Sequence, residues 1–96
     1  MPLPRFSTAQ TVQVLGAFFD RDVLDWRSLH GYAVVQETGL LQGTVYQILK
    51  RLEKAGHLEA QWDLSASRKG PPRRVYELTE SGRTLLIQKR REQRVN

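Results

Sequence analysis

The sequence predicts a small α+β domain that is mainly helical. Apolar residues recur with helical spacing in the first half of the chain, alternate with polar residues at 58–63 and 74–78, and return to helical spacing after Thr79. The length of 96 residues fits one domain, 1–96. Hydrophobic residues make up 40% and charged residues 26%, which is ordinary for a globular chain and argues against wholesale disorder.

A first helix is predicted from Thr8 to Asp20, with Ser7 or Thr8 as its N-cap. Its apolar side chains cover an arc of about 160°, which is wider than a helix that covers only a small core usually presents. The arc contains Val12, Val14, Leu15, Phe18 and Phe19. We therefore expect this helix to contact a second surface, and we expect a short extended stretch at 26–29.

Two further helices are predicted around a glycine-containing turn. The second runs from about Gly31 to Thr38 and stops at Gly39, which is suited to a left-handed backbone conformation. The third runs from Gly43 to Ala55 and ends at Gly56. Its buried stripe follows the i, i+3, i+4, i+7 series with Val45, Ile48, Leu49 and Leu52. Two helices joined by a turn of about four residues form a helix-turn-helix, although any small helical hairpin has the same local pattern.

The segment after the third helix predicts a β-hairpin. Polar and apolar residues alternate in strands 58–63 and 74–78, and the intervening loop 64–72 is rich in small, basic, glycine and proline residues. Thr79 is placed to cap a final helix, whose polar end, 88–96, is expected to fray. Three helices, a hairpin and a C-terminal helix are the elements of a winged helix-turn-helix, in which the hairpin is the wing.

Basic residues are concentrated in the second half of the chain. Lys and Arg number 15 against 10 Asp and Glu, for a net charge of +5 and a pI near 10.1. Residues 1–49 contain three basic and four acidic residues, whereas residues 50–96 contain twelve basic and six acidic ones. Such an excess favours a polyanionic partner, although basic surface can also serve solubility alone.

The third helix and the wing together present a candidate surface for double-stranded DNA. The helix face opposite the buried stripe carries side chains that pair with base edges or phosphates, and a major groove about 12 Å wide admits one helix. The wing region 64–76 has four cations and no acid, so like charges repel there unless an anion relieves them. Backbone N–H groups at the start of the helix also attract phosphate. The candidates are Gly43, Thr44, Gln47, Lys50, Arg51 and Lys54 on the helix and Arg68, Lys69, Arg73 and Arg74 on the wing.

Three motifs carry a resemblance to a known family. They are Gly43-Thr44-x-Tyr46, the LKRLEKAG run at 49–56 and the GPPRRVY run at 70–76. Together they resemble the DNA-binding domain of the PadR family of bacterial transcriptional regulators, over most of the chain. The resemblance implies a dimeric repressor that reads a palindromic operator with the third helix and the wing. The DNA contacts that it implies are Thr44, Tyr46, Lys50, Arg51 and Arg73.

The chain departs from the pattern of that family in two places. Leu41-Gln42 stands where the family commonly has Ser-Pro, so the hydroxyl cap of the third helix is missing. The chain ends at Asn96, where many members continue into a separate C-terminal dimerisation region. We therefore expect a short form that dimerises through its first and last helices, with 84–96 as part of the dimerisation element.

The apolar pattern also favours a homodimer. Three consecutive apolar residues cannot all face one side of the last helix, and two-fold dimers are the commonest oligomers. The candidate interface residues are Val14, Leu15, Phe18, Phe19, Leu85, Leu86 and Ile87. The alternative is that Phe18, Phe19 and Ile87 complete the core of a monomer.

Composition excludes several other classes of function. The chain has no cysteine for a disulfide, a thiolate nucleophile or a zinc ligand, and its two histidines lack a supporting cluster of carboxylates. We therefore predict no metal and no cofactor. We also predict no enzymatic activity, because Thr79 and Ser81 stand before a helix as caps and not as nucleophiles. No apolar run reaches the ~18 residues of a membrane span, and the first residues do not form a secretory signal, so we expect a cytoplasmic protein without a membrane partner.

The function predicted from the sequence is sequence-specific regulation of transcription through double-stranded DNA. Two alternatives use the same surface: a winged-helix module that binds an acidic protein, and a protein that coats nucleic acid without sequence preference. A flat small-molecule effector held by Trp26 and Trp62 stays open as a further option.

Overall fold

The computed structural model describes residues 8–64 and 70–95. These residues form four helices and five short strands, and the predicted fold, mainly helical α+β with a winged helix-turn-helix, is confirmed. The elements are α1 (Thr8–Gly16), β1 (Phe19–Asp20), β2 (Asp25–Trp26), β3 (Leu29–His30), α2 (Gly31–Thr38), α3 (Gln42–Lys54), β4 (Leu58–Asp63), β5 (Arg73–Leu78) and α4 (Glu80–Val95).

Helix α1 ends at Gly16, four residues before the end that the apolar spacing predicted. The chain then enters a two-stranded antiparallel ribbon formed by β1 and β2. The Phe19 ring packs edge-on against Trp26 with ring centroids 5.2 Å apart, and the Asp20 carboxylate accepts the backbone N–H of Asp22 at 2.9 Å. Apolar spacing did not reveal this boundary because Phe19 is partly buried in the ribbon, as it would be in a helix.

Arg27 ties the end of α1 to α2. Its Nε and Nη2 atoms donate to the Ala17 carbonyl oxygen at 3.1 and 3.0 Å, and Nη2 also lies 3.4 Å from the Glu37 carboxylate. A guanidinium fork satisfies a carbonyl that helix geometry leaves without an intrahelical partner. The predicted extended stretch at 26–29 is therefore not continuous, since β2 and β3 flank Arg27.

Helices α2 and α3 form the helix-turn-helix. Gly39 ends α2 with a φ of 70°, in the left-handed conformation that was predicted. At the end of α3, the N–H of Gly56 donates to the Glu53 carbonyl at 3.0 Å and the N–H of His57 to the Leu52 carbonyl at 2.8 Å, which is a Schellman motif. The predicted buried stripe of α3 is confirmed and consists of Val45, Ile48, Leu49 and Leu52.

The wing has one more strand than the sequence predicted. Strands β4 and β5 pair antiparallel as predicted, and β3 pairs with the other edge of β5. The inner face of this sheet contributes Leu58, Tyr76 and Leu78 to the core. A two-residue strand shows no period of its own, and β3 pairs with a strand far along the chain, so local sequence does not reveal it.

One hydrophobic core joins α1, α2, α3, the sheet and α4. Four of the residues that were predicted for a dimer interface belong to this core: Val14, Leu15, Phe18 and Leu86. Each is at most 1% exposed, and its burial contributes roughly 1.5–3 kcal/mol to the stability of the protomer. They have no surface left for a partner, so the predicted interface is corrected to its remaining members. Of these, Phe19 and Leu85 are partly buried and Ile87 is 50% exposed.

Helix α4 begins at a tight junction with the end of α3. Thr79 is its N-cap, as predicted, because the Thr79 hydroxyl oxygen accepts the N–H of Gly82 at 3.2 Å. The hydroxyls of Thr79 and Ser81 donate to the Gly56 carbonyl at 2.7 and 3.1 Å. Gly82 lies very close to His57, the residue after Gly56, and a Cβ at position 82 would overlap the His57 carbonyl oxygen. Two segments far apart in sequence are thus fixed to each other.

Helix α4 continues to Val95, so the segment 88–95, for which fraying was predicted, is helical. Packing against α1 explains the difference, since Nη2 of Arg90 lies 3.0 Å from the place that a Cβ on Gly16 would occupy. An ion pair between Lys89 and Glu92 adds a contact within the helix. No helix in the described ranges, α4 included, is long and apolar enough to cross a membrane.

Candidate nucleic-acid interface

Helix α3 presents a polar face opposite its buried stripe. Gly43, Gln47, Lys50, Arg51 and Lys54 are exposed on it, and Thr44 is half-buried. In the part of the chain that the structure describes, neither Lys50 nor Lys54 lies within ion-pair distance of a carboxylate. The two amines are thus available to an external anion. Side chains of these types can pair with base edges and phosphates.

The first turn of α3 lacks a side-chain cap. Leu41 occupies the N-cap position with an extended backbone, makes no cap hydrogen bond and is 80% exposed. This agrees with the missing hydroxyl that the sequence showed. The backbone N–H groups that open a helix have no intrahelical acceptor, and they carry the positive end of the helix dipole. An anion can approach them closely at Gly43, because no heavy atom lies within 4 Å of the place its Cβ would occupy.

Tyr46 lies between the two helices of the helix-turn-helix. The residue is 39% exposed, and its ring covers Gly31 at the start of α2, where an added Cβ would come within 2.6 Å of a ring carbon. Only a residue without a side chain permits this approach. The exposed edge of the ring is therefore held beside the polar face of α3 by contact with the backbone of α2, which sequence spacing did not indicate.

The predicted cations of the wing separate onto different faces. Arg73 is exposed and stands opposite Asp63 in the register of β4 and β5, on the outer face of the sheet. Arg74, the next residue, points to the inner face, together with Tyr76 and Leu78. The other two predicted cations, Arg68 and Lys69, lie outside the described residues.

Arg74 is paired with other groups of the protein, which the charge count did not indicate. Its Nη2 atom lies 2.7 Å from the Glu53 carboxylate of α3, and its guanidinium stacks over the Trp62 ring at 5.4 Å from the centroid. The alternation of side chains along β5 places this arginine on the face that packs against α3. Arg74 thus differs from the other cations of the predicted cluster in that its guanidinium is already paired within the protein, although 40% of its side chain is exposed.

Both histidines have partners that sequence spacing did not show. His30 Nε2 lies 3.1 Å from the Asp63 carboxylate, so β3 and β4 are linked across β5. His57 Nδ1 lies 3.0 Å from the Ser81 hydroxyl at the start of α4. In the described ranges, no three His, Cys, Asp or Glu side chains come together as metal ligands.

The two tryptophans occupy separate environments. Trp26 is partly buried, and the guanidinium of Arg83 stacks on its ring at 5.2 Å. Trp62 is 57% exposed on the wing and stacks on Arg74. Each indole thus has its own arginine, and the two do not form the aromatic pair that an effector site between them would need.

The phenol of Tyr76 lies on the inner face of β5, in a largely buried environment. Burial raises the pKa of its phenol above the ordinary value of 10.0, and the positive charge of Arg74 partly offsets the rise. The negative charge of Glu53 and the neighbouring Tyr46 raise it further. The phenol is therefore neutral at physiological pH.

The comparison with protein families decides the affiliation of the chain. The family model of the PadR-like transcriptional regulators matches residues 22–88, which is more than half of the sequence. The chain belongs to the PadR-like family. Members of this family are transcriptional regulators, not enzymes. No protein among those with curated functions matches this PadR-like chain.

Solved PadR structures share its fold. A PadR family regulator from Eggerthella lenta superimposes with a TM-score of 0.73 at 25% identity, over 91% of this chain and 73% of the other. A PadR family regulator from Clostridium difficile gives 0.67 at 24% identity, over 88% of each chain. Bacillus subtilis PadR in complex with operator DNA gives 0.67 at 19% identity, over 83% of this PadR-like chain and 45% of the other.

Proposed function

We propose that this PadR-like chain is a homodimeric, sequence-specific DNA-binding repressor that works in the cytoplasm on a palindromic operator. The observation that carries the proposal is the exposed polar face of α3, with two amines that form no ion pair within residues 8–64 and 70–95, next to a wing that holds an exposed Arg73. A protein-interaction module would not require both elements to be basic on their outer surfaces.

Helix α3 is the recognition helix in this proposal. Its Gln47 and Arg51 are able to hydrogen-bond base edges in the major groove, since glutamine pairs with adenine and arginine with guanine. Lys50 and Lys54 stand on the same exposed face and suit the flanking phosphates. The open backbone at Gly43 and Thr44 directs N–H groups toward a phosphate at the edge of the groove.

The wing supplies contacts that do not depend on sequence. Arg73 would neutralise a backbone phosphate beside the groove, and Arg68 and Lys69 join it on the basis of the sequence alone. Bacillus subtilis PadR, which has the same fold, has been captured on its operator. That relative supports DNA as the ligand of this surface.

The dimer would be built by α4 together with the ribbon after α1. Ile87 is 50% exposed in the protomer, and Leu85 and Phe19 retain part of their surface. A two-fold axis through such an interface would present two recognition helices to half-sites about 10 base pairs apart.

Selection from a random duplex library at near-physiological salt tests the proposal. We expect an enriched motif with two-fold symmetry, and affinity for it that falls steeply as salt increases, because phosphate contacts release counterions. Binding without an enriched motif would indicate non-specific coating. Absence of binding at low salt, with capture of an acidic protein instead, would contradict DNA as the partner.

A further inference from the structure

Three side chains from three different elements meet where the wing approaches α3. Glu53 comes from α3, Trp62 from β4 and Arg74 from β5. The guanidinium of Arg74 lies between the other two, 2.7 Å from the carboxylate and 5.4 Å from the centroid of the indole. Its Nε atom is buried and has no hydrogen-bond partner among the described residues, so the site is partly shielded from water.

The fold brings these residues together for two reasons. Trp62 and Arg74 are directly opposite each other in the register of β4 and β5, and alternation places both on the inner face of the hairpin. Glu53 follows Leu52, the last residue of the buried stripe of α3, and therefore lies at the edge of that stripe, toward the wing. The contact thus joins the recognition helix to both strands of the wing.

We propose that Arg74 is a positioning residue, which holds the wing against the recognition helix through Glu53 and Trp62 and does not itself bind phosphate. The inference rests on the proposed function, since its consequence is the correct placement of the wing on DNA. Arg73, the neighbouring residue on the outer face, is the phosphate contact. Adjacent arginines in one strand therefore have different tasks.

The positive charge of Arg74 has a second effect, which is to neutralise the Glu53 carboxylate. Glu53 stands one helical turn from Lys50 and next to Lys54, so an uncompensated carboxylate there would repel the DNA backbone. The guanidinium neutralises it at 2.7 Å. An arginine suits this position better than a lysine, because its planar fork can pair with a carboxylate and stack on an aromatic ring at once.

Removal of the Glu53 carboxylate tests whether Glu53 anchors the wing or acts on DNA only through its charge. The two possibilities predict opposite changes in DNA affinity. Glu53→Gln deletes a negative charge near DNA, so electrostatics alone predicts tighter binding. If Glu53 anchors the wing, binding weakens, by about three- to tenfold, as expected for the loss of one coupled contact. Glu59→Gln is the matched control: Glu59 is exposed on β4 and makes no ion pair in the described ranges, so its loss leaves binding unchanged or slightly tighter.

The salt dependence of Arg74→Gln gives a second, independent measure. Loss of a direct phosphate contact by Arg74 would lower the slope of log affinity against log salt by about 1 in any background, whereas loss of a residue that positions Arg73 changes the slope only while Arg73 is present. Arg74→Gln is therefore compared in the wild type and in Arg73→Ala. The double variant Glu53→Gln/Arg74→Gln should bind no more weakly than the weaker single variant, because both remove the same contact. A slope that Arg74→Gln lowers by about one in the Arg73→Ala background, together with tighter binding by Glu53→Gln, would overturn the proposal.

Fluorescence of Trp62 tests the contact without DNA. In a Trp26→Phe background, Trp62 is the sole indole, and we expect its anisotropy to fall in both Glu53→Gln and Arg74→Gln and to stay constant in Glu59→Gln. Thermal unfolding of each variant confirms that it is folded at the assay temperature. If the wild type binds no duplex, the proposed function fails while the anisotropy still decides whether Arg74 restrains the wing. Unchanged anisotropy in both variants would contradict the positioning role.

Discussion

At the scale of single residues, the junction of α3 and α4 depends on the absence of one side chain. Gly82 lies in the first turn of α4, where its hydrogen-only α-carbon faces the carbonyl oxygen of His57. The same turn is capped by Thr79, whose hydroxyl also binds the end of α3. The neighbour of Gly82 is the backbone of His57, which cannot move aside as a flexible side chain would. Position 82 therefore does not accommodate a larger residue without strain.

Gly82→Ala should destabilise the protein by about 1–3 kcal/mol, because the new methyl group forces the two segments apart. Helix propensity acts in the opposite direction by about 1 kcal/mol, which makes the sign informative. Gly43→Ala is the matched control, since Gly43 also lies in the first turn of a helix but has open space around it. Urea unfolding of both variants measures the difference, and equal stability would contradict the close approach.

Because the pKa of Tyr76 is raised in the folded state, we expect the free energy of unfolding to fall at alkaline pH. The unfolded chain loses the phenolic proton near the ordinary pKa of 10.0, whereas the folded protein holds it to higher pH. The stabilisation is thus complete below pH 10.0 and is lost as pH rises through the raised pKa of the folded state. Tyr76→Phe has no such proton, so the difference in unfolding free energy between wild type and variant should change only in this alkaline range. A pH-independent difference would contradict burial of the phenol.

At the scale of elements, the recognition helix and the wing are expected to make different kinds of contact. Gln47 stands on the central part of the exposed face of α3, and Arg73 stands on the outer face of β5. One position suits base edges and the other suits phosphates. Substitutions at these two places should therefore affect different properties of the same complex.

Gln47→Ala should relax the sequence preference, with about 1–3 kcal/mol less discrimination at the base that it contacts. Arg73→Ala should weaken binding to all duplexes alike and lower the salt slope by about 1. Competition between specific and random duplexes, measured at several salt concentrations, separates the two effects. If both variants kept the wild-type preference and slope, neither residue would have its proposed role.

The elements differ in how far sequence alone could predict them. The buried stripe of α3 and the turn at Gly39 follow from local spacing and from glycine geometry, and both were predicted correctly. The end of α1, the third strand of the sheet and the pairing of Arg74 with Glu53 depend on residues distant in sequence. Charge counting could not separate Arg73 from Arg74, because it ignores the alternation that places adjacent residues of a strand on opposite faces.

At the scale of the whole molecule, the protomer core and the proposed dimer surface share one helix. Leu86 is buried in the core, while its neighbour Ile87 is exposed on the other side of α4. Successive residues of a helix point about 100° apart, so a single helix can serve two interfaces. This separation allows assembly to be perturbed without loss of the fold.

Ile87→Glu should shift the protein from dimer to monomer and weaken operator binding, because a charge would be buried at the interface. Its unfolding free energy at concentrations where the wild type is monomeric should change by less than about 1 kcal/mol. Leu86→Ala is the contrasting variant and should cost about 2–5 kcal/mol of stability through a core cavity. Analytical ultracentrifugation and urea unfolding distinguish them, and an Ile87→Glu variant that stays dimeric would contradict this surface.

The hydroxyl bonds at Gly56 have a consequence for the spacing between two operator half-sites. They attach the C-terminal end of the recognition helix α3 to the first turn of α4, the helix that would join two protomers. In the proposed dimer, the distance between the two recognition helices would then be set by this hydrogen-bonded contact between α3 and α4 and not by a flexible linker. A protein built this way should be intolerant of inserted base pairs between half-sites, and a variant weakened at Thr79 should accept a wider range of spacings while it still prefers the same bases.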